Sequence, residues 1–558
     1  MRGCAGSPPL LRYAFFAVVL LALLLRLIGL DTAAFGPSEG PRALAAWQLV
    51  NGKIPDWWEA PALAGAVAGS FILMGDSEVA ARLLPALAGA GTVLALALLR
   101  GWLGWWPVLA GAQLAALSPS GLALARSVAE DTIAALITLL MGWALIRYWD
   151  QRRAGIGVLM GIGAAALVHL GYAGVTGAIT LIVFALAWSS VRPQRAWQTT
   201  PAWLRESLFP FGAAFVLIST GGLLYLDGFS LPSLASWARH FEGLTGDQPW
   251  FQAGLVMVGY EPAALLLGLP AGFLALWRWR LWLGEPDAAL LAFLSIWALM
   301  GLVFPLLGGT ADATSVYASA LPLSVLGGYL LARGIADVDK ETLRRFVWGL
   351  PLVAACSVFA GINILRAASE AGTATGPPWL ALAALVLPLA TAPALAAGSP
   401  RPAALLACFV GVAAVLLSVH GISRLRAPWP GQISGQSQAV QTLRDLTRLK
   451  PYTTSGQGFF ALVQQDLRPV AGWHLRDLRS VTYAGQVARG PALLIGEAGS
   501  SPSDIPGYQR RVVPVVETWT PSEWGLAEMV RWIATGDVPP RSRISRRAAV
   551  YVSQEAPA

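Results

Sequence analysis

The chain has 558 residues, 56% of them hydrophobic and only 13% charged, with a mean hydropathy of +0.58. A soluble fold of this length does not bury so much apolar surface, so the composition specifies a polytopic membrane protein. The formal net charge of +8 comes from Arg and Lys dispersed among loops rather than gathered in one patch, which argues against nucleic acid as a partner.

Apolar runs of spanning length lie near 11–30, 83–100, 103–118, 131–147, 155–171, 173–190, 208–226, 252–276, 287–307, 313–332, 346–365, 379–397 and 402–420. They predict an α-helical bundle of about 13 transmembrane helices, each needing roughly 17 to 25 residues. The first run has no small-residue cleavage pattern and reads as a signal anchor. Residues 31–82 then form a long first loop. Its stretch 61–74 (PALAGAVAGSFILM) is apolar but too short to span, and predicts an interfacial helix.

Positive charge is sorted along this order. Alternate connections hold Arg147, Arg152 and Arg153; Arg192, Arg195 and Arg205; Arg278 and Arg280; Arg333, Lys340, Arg344 and Arg345. Counting 61–74 as a span would reverse this bias in every later loop. By the positive-inside rule the chain is a multi-pass plasma-membrane protein with a cytoplasmic N-terminus. Residues 1–430 are the transmembrane domain. Residues 431–558 turn polar, with short alternating runs at Ser480–Tyr483 and Pro491–Ile495 and a helical pattern near 522–534. They predict a small extracytoplasmic α/β domain. Cys4, Cys356 and Cys408 have no metal-ligand spacing and indicate no disulfide framework.

With this topology the outer face collects Asp31 and Glu39, then Arg126, Glu130 and Asp131 before the fourth span, and His169 at the end of the fifth. Asp227, Arg239, His240, Glu242 and Asp247 follow in the loop after the seventh, Glu261 lies inside the eighth, and Asp312 stands at the mouth of the tenth. An intramembrane carboxylate such as Glu261 is costly. It marks either a functional site or a structural hydrogen bond beside Pro262. Glu130 and Asp131 suit the positive end of a helix dipole as well as a ligand site. Arg126 either pairs with them or binds a phosphate. His169 and Asp312 carry little signal alone.

Four stretches in chain order resemble one family. They are GDSEVAARLLPALAG (75–89), LSPSGLALARSVAED (117–131), GDQPWFQAGLVMVGYEP (246–262) and GWHLRDLRSVTY (472–483). The chain resembles GT-C fold membrane glycosyltransferases of the protein mannosyltransferase and lipid A aminoarabinose transferase type, and is most similar to a flippase-associated, mannosyltransferase-like branch. The resemblance implies transfer of a sugar from a polyprenyl-phosphate donor to a protein, lipid or glycan acceptor at the outer membrane face. It implies Glu39 as the catalytic base, with Glu130 and Asp131 as metal or acceptor ligands. Arg126, Arg239 and His240 would lie near the lipid phosphate, and His169, Glu261 and Asp312 complete the substrate-binding set. A divalent cation held by Glu39, Glu130 and Asp131 is permitted and not required.

The chain departs from the family at three places. Ser38 stands before Glu39 where the family usually carries Asp. His169-Leu170-Gly171 replaces a Lys-Glu pair, and Gly309-Thr310-Ala311-Asp312 replaces a Gly-Glu-Lys motif. These departures leave open a catalytically inactive homologue that binds a lipid-linked glycan or scaffolds a glycan-assembly complex. A transporter or flippase is the third reading, suggested by Glu261 and Pro262 within a span.

Overall fold

A computed structural model describes residues 9–31, 35–36, 38–55, 59–151, 154–191, 193–223, 225–226, 251–278, 287–308, 313–335, 410–411, 413–415, 417–418, 422, 460–476, 480–485, 493–499, 505–519, 524–535, 538–539 and 543–553. Apolar runs in lipid must satisfy their backbone groups internally, and here they do so as helices.

The elements in chain order are α1 (Pro9–Leu27), α2 (Gly40–Val50), α3 (Pro61–Met74) and α4 (Glu78–Ala95). A 3₁₀ turn (Leu96–Leu99) joins α4 to α5 (Arg100–Leu103), and α6 (Trp105–Ala116), α7 (Pro119–Ala125), α8 (Asp131–Gln151) and α9 (Ala154–Val168) follow. Next come α10 (Gly171–Val191), α11 (Pro193–Ser219), α12 (Phe251–Tyr260), α13 (Pro262–Arg278), α14 (Ala288–Gly308) and α15 (Ala313–Ile335). Among the described residues six helices are long and apolar enough to cross a membrane, or up to eight if two bent pairs each count as one span. The spans expected near 346–365 and 379–397, and most of that near 402–420, lie outside the described residues.

The stretch 61–74 is the 14-residue helix α3. It buries Leu63, Val67 and Phe71 while Ile72, Leu73 and Met74 at its tip are 63%, 84% and 56% exposed. That apolar tip suits a helix resting at a bilayer surface. With α2 and the start of α4 it encloses its own small core, containing Phe35, Leu49, Leu63, Val67, Phe71 and Val128.

Two bends depart from the expected straight spans. The run near 252–276 is broken between α12 and α13 by 113°, and α6 meets α7 at 61°. At the first break Pro262 supplies no N–H to the ladder and crowds the carbonyl one turn back. The second break leaves two helix ends with unpaired backbone groups inside the bundle. Each is met by a charge of the right sign. Arg26, 1% exposed on α1, donates to the carbonyls of Ala115 and Ala116 at the end of α6, at 3.2 and 3.3 Å. Glu261 Oε1 accepts from Ser118 Oγ (2.6 Å), Ser120 N (2.8 Å) and Ser120 Oγ (2.5 Å) at the start of α7. A cation thus faces the negative end of one helix and a carboxylate the positive end of the next.

The C-terminal residues form a five-stranded sheet in the order β2-β1-β3-β5-β4. Its strands are β1 (Phe460–Gln464), β2 (Ser480–Ala484), β3 (Leu493–Glu497), β4 (Tyr508–Trp519) and β5 (Arg543–Ser553). β1 pairs in parallel with β2 and β3, and β5 runs antiparallel to β3 and β4. Two helices, α16 (Arg468–His474) and α17 (Leu526–Thr535), complete it. The alternating runs at 480–483 and 491–495 correspond to β2 and β3, and the helical pattern near 522–534 to α17. Trp532 of α17 is buried against Tyr260 of α12, ring centroids 5.7 Å apart, which seats this unit on the bundle.

Candidate functional site

Glu39 immediately precedes α2, and its carboxylate meets Arg82 of α4 at two points. Arg82 Nε donates to Oε1 at 2.9 Å and Nη2 to Oε2 at 2.7 Å. A third donor, the backbone N–H of Val128, reaches Oε1 at 2.9 Å. Arg82 also donates from Nη1 to the carbonyl of Leu30 at 2.7 Å, which ties the end of the α1 connection to the same knot.

Arg42, nearly one turn further along α2, takes the other side of this loop. Its Nη1 donates to the Val128 carbonyl and its guanidinium pairs with Glu130, both at 3.1 Å. The segment between α7 and α8 is therefore gripped at Val128 N by Glu39 and at Val128 O and Glu130 by Arg42 of α2. This arrangement holds Arg126 at the rim. Arg126 is exposed, and its described hydrogen bond goes to the carbonyl of Gly29 at 3.1 Å rather than to a carboxylate. Partial desolvation, and then the charge of Arg82, lower its pKa from the ordinary arginine value. It remains a cation at neutral pH.

Glu130 and Asp131 are both buried. Asp131 opens α8 and lines a small pocket with Thr138, Thr176, Trp297 and Tyr317. Glu130 leans on the α9–α10 turn, where Gly171 has φ +54° and a Cβ on it would lie 3.2 Å from Glu130 Oε1. Both the left-handed backbone and the close carboxylate call for glycine at that position. His169, in the same turn, is fully buried. Its Nδ1 bonds the Ala165 carbonyl at 2.8 Å, and its ring stands edge-on to Phe215.

The fold thus gathers Glu39, Arg126 and Glu130 around α2 and the 126–130 loop, with Asp131 and His169 on adjoining turns. Glu261 serves the α6–α7 break instead. Arg239, His240 and Asp312 lie outside the described residues, as do Asp227, Glu242 and Asp247. Arg82 and Arg42 are site residues that sequence reasoning passed over. Arg82 sits inside one of the stretches that carry the family resemblance, and Arg42 is close in chain to Glu39; those positions were the signals the sequence offered for them. Among the described residues no group of three or more His, Cys, Asp or Glu side chains converges to hold a metal ion. Glu39 and Glu130 each face a guanidinium, so as arranged they do not fit a divalent cation.

A family model described as dolichyl-phosphate-mannose-protein mannosyltransferase matches residues 59–219. That match includes α3, Arg82, Arg126, Glu130, Asp131 and His169. No curated protein matches the chain. Among solved structures, ArnT from Cupriavidus metallidurans bound to undecaprenyl phosphate is similar over 88% of this chain and 94% of that one, with 17% identity and a TM-score of 0.54. The archaeal oligosaccharyltransferase AglB from Archaeoglobus fulgidus, in complex with an inhibitory peptide and a dolichol-phosphate, aligns over 83% of this chain and 63% of that one. Its identity is 12% and its TM-score 0.45, too distant to carry an argument. With its apolar helices, its C-terminal sheet and an alignment that runs through nearly all of ArnT, this chain is a polytopic membrane protein with the GT-C glycosyltransferase fold.

Proposed function

We propose that the protein is a membrane glycosyltransferase that moves a sugar from a polyprenyl-phosphate donor to an acceptor hydroxyl on a protein, lipid or glycan. The sorted Arg residues support an extracytoplasmic site for this reaction, and the membrane is proposed to be the plasma membrane. One observation carries the reading. Arg126 is an exposed guanidinium held at the rim by a loop whose neighbours, Glu39 and Glu130, are already neutralised by other arginines. Such a cation is available to a phosphate, and its planar donors match phosphate oxygens. Arg239 and His240 are proposed to join it. The family match over residues 59–219 and the shared fold support the donor class.

Glu39 acts as general base in this scheme only when the Arg82 pair opens on acceptor binding, because Arg82 and Val128 N engage both of its oxygens. In the closed arrangement Glu39 anchors the 126–130 loop beneath Arg126. Glu130 and Asp131 shape the floor of the site. The test is release of polyprenyl phosphate by purified protein supplied with a polyprenyl-phosphate sugar. Arg126→Ala is expected to weaken donor use by on the order of tenfold or more, the worth of a charge-assisted phosphate contact.

A second reading, a non-catalytic homologue that binds lipid-linked glycan, is favoured by Ser38 together with the committed state of Glu39. Donor binding without release from the wild-type protein would select it. Glu261, whose Oε1 serves the start of α7, no longer argues for a transporter.

A further inference from the structure

We propose that α16 of the C-terminal domain is a positioning element for the Glu39 segment, with Trp473 as the positioning residue. Among the described residues the C-terminal unit meets the first loop at this small helix and at Arg476 just beyond it. Trp473 is 2% exposed and belongs to the core formed by α2, α3 and the start of α4; among the described residues it is the member of that core contributed by the C-terminal domain. Its ring lies between Phe35, at 4.9 Å between centroids, and Phe71, at 5.8 Å. The Phe35 ring in turn carries the Arg82 guanidinium 4.7 Å from its centroid. Arg82 is the group that holds Glu39. A chain of contacts therefore runs from Trp473 through Phe35 and Arg82 to the Glu39 carboxylate.

The helix is clamped around this stack. Arg476 lies over the Trp473 ring, 3.7 Å from its centroid, and pairs with Asp76 in the turn between α3 and α4 at 3.2 Å. Its Nη2 also donates to the Asp76 carbonyl at 3.1 Å. A ring nitrogen of His474 approaches the Phe35 carbonyl at 3.4 Å. Gly40, the residue after Glu39, packs directly on the α16 backbone: a Cβ on it would lie 2.7 Å from the Pro469 carbonyl oxygen. Phe35 and Gly40, on either side of Glu39 in the chain, thus rest on α16, and removing the Trp473 ring takes away a packing partner of Phe35.

The physical consequence is local. Without the indole, Phe35 loses its packing partner and its ring no longer fixes the plane on which Arg82 rests. The segment 35–50 then opens more often than the spans around it, because local opening follows the loss of buried apolar contact.

The experiment is hydrogen exchange on the full chain in lipid nanodiscs, read on peptides covering 35–50, with peptides from α8 and β5 as controls. Trp473→Ala is expected to raise exchange at 35–50 about tenfold or more while the controls stay unchanged, and Trp473→Phe is expected to restore most of the protection. Equal exchange at 35–50 in wild type and Trp473→Ala overturns the proposal. If Trp473→Ala exchanges faster at the controls too, Arg476→Gln gives the same reading, because it removes the clamp but leaves the ring. Unchanged exchange at 35–50 in Arg476→Gln then overturns the proposal. A kinetic arm rests on the glycosyltransferase reading: Trp473→Ala should lower kcat more than it raises the donor KM, with Trp473→Phe recovering kcat. Absence of turnover in the wild type defeats that reading, while the exchange arm still decides the role of Trp473.

Discussion

Arg82 and Glu39 form a two-point ion pair at 2.9 and 2.7 Å, with Arg82 3% exposed and Glu39 13% exposed. Their shared location, rather than either residue alone, organises the candidate site, because the same carboxylate also holds Val128. Removing one partner strands a buried charge. Arg82→Met is expected to destabilise the protein by about 3–5 kcal/mol, measured by thermal unfolding in detergent. Adding Glu39→Gln to that variant should recover part of the loss, since the stranded charge disappears.

Glu261 gives a contrast between two substitutions. Its Oε1 accepts from three donors of α7, so Glu261→Gln keeps an acceptor in place whereas Glu261→Ala leaves three donors unmet. Each stranded donor costs about 1–3 kcal/mol, so the alanine variant is expected to unfold far below the glutamine variant. Sugar-lipid translocation in liposomes that is lost in Glu261→Gln despite a normal unfolding temperature would instead restore the transporter reading.

Gly171→Ala combines a left-handed backbone with a Cβ 3.2 Å from Glu130 Oε1. The backbone alone costs about 1–2 kcal/mol. A loss of that size in chemical unfolding is expected, together with a weaker Arg42–Glu130 pair.

Ser38 is exposed beside Glu39, at the position where the resembled family usually carries Asp. With Glu39 committed to Arg82, Ser38→Asp is expected to raise polyprenyl phosphate release by on the order of a hundredfold, the worth of a positioned base, while Ser38→Ala changes little. Equal release from all three proteins would mean that proton removal at this position does not limit the reaction.

Much of the architecture was readable from the chain. Hydropathy marked the runs that became α1, α4, α8, α10, α14 and α15, because a span needs an unbroken apolar stretch, and short apolar runs in a polar region marked β2 and β3. The short, uncharged run 61–74 was legible as a helix from its apolar composition. The partners of the acids were not legible. Nothing in the local pattern says that Arg82 will grip Glu39, that Arg42 will reach Glu130, or that Trp473 will pack on Phe35. The run containing Arg26 reads as a plain apolar span.

The sequence by itself therefore determined a polytopic helical membrane protein, its candidate acids and its resemblance to GT-C glycosyltransferases. Only the tertiary structure decided that Glu39 is held by a guanidinium and that Arg26 and Glu261 serve the two ends of one broken helix. The reason is physical. Span and strand patterns arise from solvent contact along a local stretch, whereas charge pairing depends on distance in space between groups that lie tens of residues apart in the chain.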